Sequence, residues 1–317
     1  MPSVVEGMIR MFADDTKIFS SVNDRESQTQ LQRDLEALQD WSGRWQLRFN
    51  AGKCKTMHLG RNNSEFEYRM RDGAAEVVLE KTVCERDLGV HVDPSLKFTQ
   101  HCEKIVSKAN RLVGLIRRSF DYIDCQMFSS LFKGLVRPHL EYGNTVWSPL
   151  YKKDAILIEN VQRRATKLVP ELAELDYEDR LRRLNLPSLM YRRLRGDLIE
   201  VHKFVRGLYK VSTKNYFERN EEERTRGHRF KLKKQAAHLE IRKHFFGLRV
   251  VDAWNSLPEY IVEAETLNSF KRQLEKALEE QQFSTEFPMC PILPKECPGG
   301  GASDPWTADR DEDPLQA

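Results

Sequence analysis

The sequence predicts an α+β fold that is mostly α, and three observations carry the prediction. An acidic pair, in Phe12-Ala13-Asp14-Asp15, sits between two short apolar-rich runs. Leu31, Leu35, Leu38, Trp41 and Trp45 then recur at helical spacing. From Leu96 onward apolar residues keep a helical period, with basic residues between them, nearly to residue 280.

Met8-Ile9-Arg10-Met11-Phe12 reads as a strand, Ala13-Asp14-Asp15 as a tight turn and Thr16-Lys17-Ile18-Phe19 as the returning strand. Such a hairpin holds two carboxylates side by side at an exposed tip. Mg²⁺ favours one or two carboxylates together with substrate phosphates, so the tip suits two-metal phosphoryl or nucleotidyl transfer. Asp is also a common turn residue, which by itself would account for the pair. The Leu/Trp stripe predicts an amphipathic helix of about five turns laid on the strands. Phe49-Asn50-Ala51-Gly52 ends that helix, and short strands are expected at 53–60, 76–80 and 87–92.

Cys102, Ile105, Val106, Ala109, Leu112, Val113 and Ile116 form the stripe of the next helix, with Lys104, Lys108, Arg111 and Arg118 elsewhere on it. A second helix presents Met127, Phe128, Leu131, Phe132 and Leu135 and is expected to stop before Pro138. A third, over 155–169, lies between Pro149 and Pro170 and carries Arg163, Arg164 and Lys167. Ser188 is placed to cap a fourth through Leu194, Leu198, His202 and Val205, bearing Arg192, Arg193 and Arg195. A charged helix face is ordinarily just solvated, yet several basic helices in succession favour a nucleic-acid surface.

Residues 210–226 are polar and read as a loop. Between Arg224 and Arg249 nine Lys/Arg stand against one acid, Glu240, with Arg229, Lys231, Lys233 and Lys234 at the centre. Phe230, Phe245 and Phe246 interleave them, so backbone contact and base stacking are both chemically open. A solvated loop followed by a packing helix is equally open. His238 and His244 lack the i, i+4 spacing of a helical metal pair. A final helix is expected over 266–280, and the Pro-, Gly- and acid-rich 284–317 is expected to be disordered.

About 40% apolar and 31% charged residues, with a mean hydropathy of −0.62, describe a soluble, highly charged protein. The net charge of +3 understates its basicity. Residues 284–317 hold seven acids against Lys295 and Arg310, leaving 49 basic and 41 acidic residues elsewhere, a body of +8. Such a body suits a polyanionic partner. The six scattered cysteines form no CxxC pair, which favours reduced thiols in a cytoplasmic or nuclear compartment. No signal peptide and no membrane-length apolar run is visible, so an intracellular protein without a membrane partner is expected.

Taken together, the ordered segments resemble the reverse transcriptase of jockey-type non-LTR (LINE) retrotransposons. The resemblance begins at Phe12-Ala13-Asp14-Asp15-Thr16-Lys17, similar to that family's aromatic-Ala-Asp-Asp turn, and continues through 31–45 and Phe49-Asn50-Ala51-Gly52-Lys53-Cys54-Lys55. It takes in Asp87-Leu88-Gly89-Val90, the run 135–142 with Trp147-Ser148-Pro149, and 159–165. Arg192-Arg193-Leu194-Arg195-Gly196-Asp197-Leu198 and the run 245–258 complete it, over about residues 5–280.

The resemblance implies part of a right-hand polymerase: a truncated palm (hairpin, helix, short strands) over 1–95 and a helical thumb-like region over 96–208. A basic loop with a C-terminal helical region over 209–283 and the disordered acidic tail over 284–317 would follow. It implies RNA-directed DNA polymerase activity, with Asp14 and Asp15 holding Mg²⁺ and Lys53 near the incoming deoxynucleotide's phosphates, where a cation helps pyrophosphate depart. A plain strand-edge charge is the other reading of Lys53. Asp87-Leu88-Gly89-Val90 would resemble the primer grip. RNA or DNA would be held with little sequence preference through Lys104, Lys108, Arg111, Arg163, Arg164, Arg192, Arg193 and the 224–249 segment.

Only about seven residues precede the hairpin. The fingers and the motif bearing the other metal-binding aspartate are therefore expected to be missing, and the isolated chain to be inactive. Two alternatives stand beside the polymerase fragment: a non-catalytic nucleic-acid-binding protein, and the product of a decayed element with no selected role.

Overall fold

The computed structural model describes residues 4–60, 63–211, 216–220 and 228–284. All but the first residue of the expected acidic tail, and most of the 210–226 loop, lie outside the described residues. The fold is mixed α/β and mostly helical, and among the described residues its strands form four separate two-stranded sheets. The chain divides into two compact units at Leu96/Lys97.

In the first unit, β1 (Met8–Phe12) and β2 (Asp15–Phe19) pair antiparallel, with Phe12 opposite Asp15. The turn is therefore Ala13-Asp14 alone, and Asp15 already belongs to β2. Helix α1 (Arg25–Arg44) starts at a reciprocal cap in which Asp24 accepts from the Ser27 amide and Ser27 Oγ from the Asp24 amide. Asp34, buried on α1, accepts the amides of Glu6 (3.0 Å) and Gly7 (2.8 Å) and so ties the chain entering β1 to the helix. A side chain at residue 7 would place its Cβ 2.8 Å from Asp34 Oδ2, which is why glycine stands there.

The strand expected over 53–60 shortens to β3 (Lys55–Thr56), because Ala51–Lys53 closes into a 3₁₀ turn around buried Ala51. A strand absent from the sequence reading, β4 (Arg69–Asp72), pairs antiparallel with β5 (Ala75–Val78). Gln32 and Gln39, two helical turns apart on α1, each donate to and accept from the backbone of β4, at Arg69 and Arg71 (2.9–3.1 Å). Their amides thus take the place of a neighbouring strand. Next, β6 (Glu80–Lys81) runs parallel to β3. The single strand expected over 87–92 is a hairpin, β7 (Glu85–Asp87) and β8 (Val90–Val92), because Leu88 (φ 44°) and Gly89 (φ 90°) reverse the chain. The core of this unit is small: Ala51, Tyr68, Met70 and Leu79, flanked by Leu31, Leu35 and Phe49.

The second unit is helical. α2 (Thr99–Ser119) packs on α5 (Lys152–Ala165), and buries Cys102, Val106 and Ala109. The expected stop before Pro138 does not occur. α3 (Cys125–Leu131) passes through a π turn (Phe132–Val136) into α4 (Arg137–Glu141). The wider turn re-routes the Arg137 amide to the Phe132 carbonyl, accommodating a proline that has no N–H of its own to place.

α6 (Tyr177–Leu184) and α7 (Leu189–Val205) follow, the latter capped by Ser188, whose hydroxyl accepts the Tyr191 amide. Buried Glu159 of α5 accepts from the Leu189 and Met190 amides at the same helix start and from the Tyr177 hydroxyl. Four short helices, α8 (Glu240–Lys243), α9 (Phe246–Arg249), α10 (Val251–Asn255) and α11 (Glu259–Val262), lead to α12 (Leu267–Ala277), capped by Thr266. One apolar core joins α7 to α9, α10, α11 and α12, with Trp254, Phe270, Leu198 and Ile261 fully enclosed.

Candidate functional site

The acidic tip is built by strand pairing. The β1–β2 register leaves two residues to reverse the chain, and Ala13 adopts φ 51°, a left-handed conformation that disfavours a Cβ and is normally left to glycine. Asp14 sits in the turn and Asp15 begins β2, both solvent-exposed, with exposed Phe12 beside them. Lys17, two residues along β2 from Asp15, forms an ion pair with Asp87 of β7, which links this hairpin to the β7–β8 hairpin. Lys53 lies exposed at the end of the 3₁₀ turn, its amide bound to the Asn50 carbonyl (3.0 Å).

Two adjacent exposed carboxylates are hard oxygen donors of the kind Mg²⁺ accepts alongside phosphate oxygens. Among the described residues no group of three or more His, Cys, Asp or Glu is placed to hold a metal. The donor set therefore fits a partial site completed by other ligands and does not form a cage by itself. Nor does the chain offer an activated thiol at its core. Burial pushes the Cys102 thiol up to about 12, keeping it protonated.

The basic residues separate into three groups. On α2, Lys104, Lys108, Arg111 and Arg118 are exposed and follow one another at 4-, 3- and 7-residue steps, so they share a face with exposed Leu115. Lys108, Arg111 and Arg118 form no ion pair among the described residues. Arg164 of α5, also exposed, donates to Asn110 Oδ1 (3.0 Å) and so lies against α2. Arg163 stacks 4.5 Å over the Tyr177 ring.

The second group is structural, which corrects the reading of Arg192 and Arg193 as an open basic face. Arg192 grips Glu141 with two nitrogens, and Arg193 stacks on the buried Trp147 ring at 5.1 Å. Both point into the packing between α7 and the 137–149 segment because α7 buries its neighbouring turns.

The third group is the 229–234 segment, where acids answer the cations. Arg229 pairs with Glu263 (3.1 Å), Lys233 with Glu218 (3.8 Å), and Lys234 with Asp252. Lys231 is half-buried there. Phe246 is in the core and Phe245 is partly exposed under Arg242, while Phe230 is ringed by Arg206, Arg219 and Arg229 at 4.8–5.8 Å. The acids that neutralise this segment come from 218, 252 and 263, too far away in the sequence to be counted when it is read as a basic run.

Sequence reasoning also missed Arg249. It makes two bonds to the Asp197 carboxylate (both 3.0 Å) and one to the Asn144 carbonyl (2.9 Å), with both partners of the ion pair nearly buried. One guanidinium thus ties together two of the segments that carry the family resemblance, 192–198 and 245–258, and the Asn144 backbone between 135–142 and 147–149. Asp197 and Arg249 were both in segments singled out from the sequence, but nothing local pairs them.

No family profile and no solved structure matches the chain. An uncharacterized Caenorhabditis elegans protein is 27% identical over 126 residues, 39% of this chain and 64% of that protein. The RNA-directed DNA polymerase from mobile element jockey of Drosophila melanogaster is 24% identical over 168 residues, 51% of this chain but only 18% of the polymerase. The chain is thus a distant and partial relative of a non-LTR retrotransposon reverse transcriptase, spanning less than a fifth of that protein's length.

Proposed function

We infer that this chain is part of a reverse transcriptase of non-LTR lineage, in which Asp14 and Asp15 hold Mg²⁺ for nucleotidyl transfer to a DNA end. The observation that carries the reading is the exposed two-residue turn, strained at Ala13, that presents adjacent carboxylates. Distant similarity to the jockey polymerase supports it. Lys53 is assigned the pyrophosphate side of the reaction, and RNA or DNA is the macromolecular partner, engaged through the α2 ridge. Catalysis needs a further carboxylate-bearing strand that the described residues do not supply.

Primer extension on an RNA template with Mg²⁺ tests the catalytic half. The chain by itself is expected to give no templated product. Incorporation by it that vanishes in Asp14→Ala would show a complete site and overturn the partial one. The metal half is tested by Mn²⁺ titration followed through water-proton relaxation, where a weak site lost in Asp14→Asn/Asp15→Asn is expected. Identical titrations of both proteins would remove the tip from metal binding.

A second reading, a nucleic-acid-binding protein without catalysis, is favoured by the exposed cations of α2, which need no metal site to act.

A further inference from the structure

We propose that the C-terminal cap of α1 is a base-stacking site for a single-stranded nucleic acid, with Trp45 as the platform and Arg44 and Arg48 as the phosphate contacts. The inference rests on nucleic acid being the partner, and adds a site built on other residues than the acidic tip and the α2 ridge.

The argument starts from the helix end. The Leu47 amide donates to the Ser42 carbonyl (2.9 Å) and the Gln46 amide to the Gly43 carbonyl (3.2 Å), while Gln46 takes φ 56°. This is the paired-bond termination that normally places glycine at the left-handed position and folds an apolar residue after it back onto the last turn. Here the left-handed residue is glutamine, and the following Leu47 stays 63% exposed instead of covering the helix. Trp45, at the cap, is 65% exposed, among the most exposed large apolar side chains of the chain.

Trp45 is nevertheless ordered from behind. Its ring lies 6.0 Å from that of half-buried Trp41, and its amide is bound to the Trp41 carbonyl (3.2 Å). The result is a largely bare indole at a helix end whose backbone is held by three hydrogen bonds.

Charge selects the occupant. Arg44 and Arg48 stand one position before and three positions after Trp45 in the chain, both are exposed, and neither forms an ion pair among the described residues. An exposed π-face within three residues of two exposed guanidinium groups fits a nucleobase with its adjoining phosphates, since stacking tolerates any base and the cations follow the backbone. A protein surface patch of this kind would bring acids or backbone partners to the arginines. In a duplex the base faces are already stacked on one another, so the occupant is a single strand.

The test uses the full chain and two fluorescein-labelled oligonucleotides of equal length, oligo(dT) and the same backbone with abasic residues, at low salt. Anisotropy titrations are expected to show oligo(dT) bound roughly tenfold more tightly than the abasic strand. Trp45→Ala is expected to remove that difference while leaving abasic binding and the melting temperature unchanged, and Trp45→Tyr to restore most of it. Arg44→Gln/Arg48→Gln is expected to weaken both strands equally. If both strands bind alike in the unaltered chain, or Trp45→Ala changes nothing, the stacking site is wrong although nucleic-acid binding stands. If neither strand binds even at low salt, the partner assignment fails with it.

Discussion

The two units are stabilised by different means, and the contrast follows where chemistry is assigned. The second unit encloses Trp254, Phe270 and their neighbours in a continuous core that runs from α7 to α12. The first has four buried apolar residues in its core cluster and holds its shape with polar clamps: Asp34 on the Glu6 and Gly7 amides, Gln32 and Gln39 along β4, Lys17 on Asp87. Met8, Phe12 and Phe19 on β1 and β2 remain exposed. A two-stranded hairpin is marginal in water by itself, so each clamp counts for more than it would beside a large core. The unit that carries Asp14, Asp15 and Lys53 is therefore the less packed one, and it achieves its turns with residues such as Ala13 and Leu88 in left-handed conformations.

If the second unit depends on enclosure, uncovering its buried ion pair should be the most damaging single change. Arg249→Ala leaves the Asp197 carboxylate buried without its partner and frees the Asn144 carbonyl, for an expected loss of about 3–5 kcal/mol in denaturant unfolding. Arg249→Met/Asp197→Leu should recover most of that loss, because an apolar pair of similar size has no charge to strand. Equal losses in the single and double variants would mean that the pair itself, and not the uncovered charge, holds the segments together.

The next effect separates the units by pH. His202 donates through Nε2 to the Ala264 carbonyl (3.1 Å), and His228 donates through Nε2 to the Trp254 carbonyl (3.1 Å). The other ring nitrogen of each is buried without a partner. Burial holds both imidazoles below the usual histidine range, so the folded state prefers them neutral. The sign follows: their stabilisation is complete above the unfolded value of about 6.5 and is lost as pH falls below it toward the folded value. Each should contribute about 1.4 kcal/mol per pH unit in that window. Unfolding of the full chain at pH 7.5 and 5.5 should show the loss, and hydrogen exchange should place it in the 191–278 core. A first unit equally weakened by acid would break the contrast.

The polar clamps predict a smaller, local effect. Asp34→Ala should cost about 2 kcal/mol, reading as faster amide exchange in β1 and β2 with the 191–278 core unaffected. Unchanged exchange in the hairpin would show that strand pairing alone maintains it.

What the sequence made legible follows the same division. Helical periodicity located α1, α2, α5, α7 and α12 because their stripes are contiguous and their caps, Ser188 and Thr266, are local. The acidic tip was legible because two strands flank it. The partners of Arg229, Lys233, Lys234 and Arg249 were not, since each ion pair joins residues between about fifteen and fifty positions apart. β4 escaped because Gln32 and Gln39 look like ordinary solvent-facing residues of an amphipathic helix, although they occupy its backbone groups. The π turn escaped because proline signals a helix stop whether or not the helix widens to pass it.

The smallest effect, with no expected change in stability, concerns which basic surface meets nucleic acid. Each phosphate neutralised releases counterions, so the log–log dependence of affinity on salt steepens by roughly 0.7 per contact on a single strand, and six contacts give about −4. Lys108, Arg111 and Arg118 are exposed on one face of α2 and have no ion pair to break, so Lys108→Gln/Arg111→Gln/Arg118→Gln should flatten the slope by about 2. Arg229, Lys233 and Lys234 must first exchange Glu263, Glu218 and Asp252 for phosphate. Exposed ion pairs are weak, which permits the exchange, but the released carboxylates then repel the same backbone. The Gln variant of these three should therefore flatten the slope by less than about 1. Equal flattening by both variants would return the 229–234 segment to the binding surface, and a slope that neither changes would move the contacts off both.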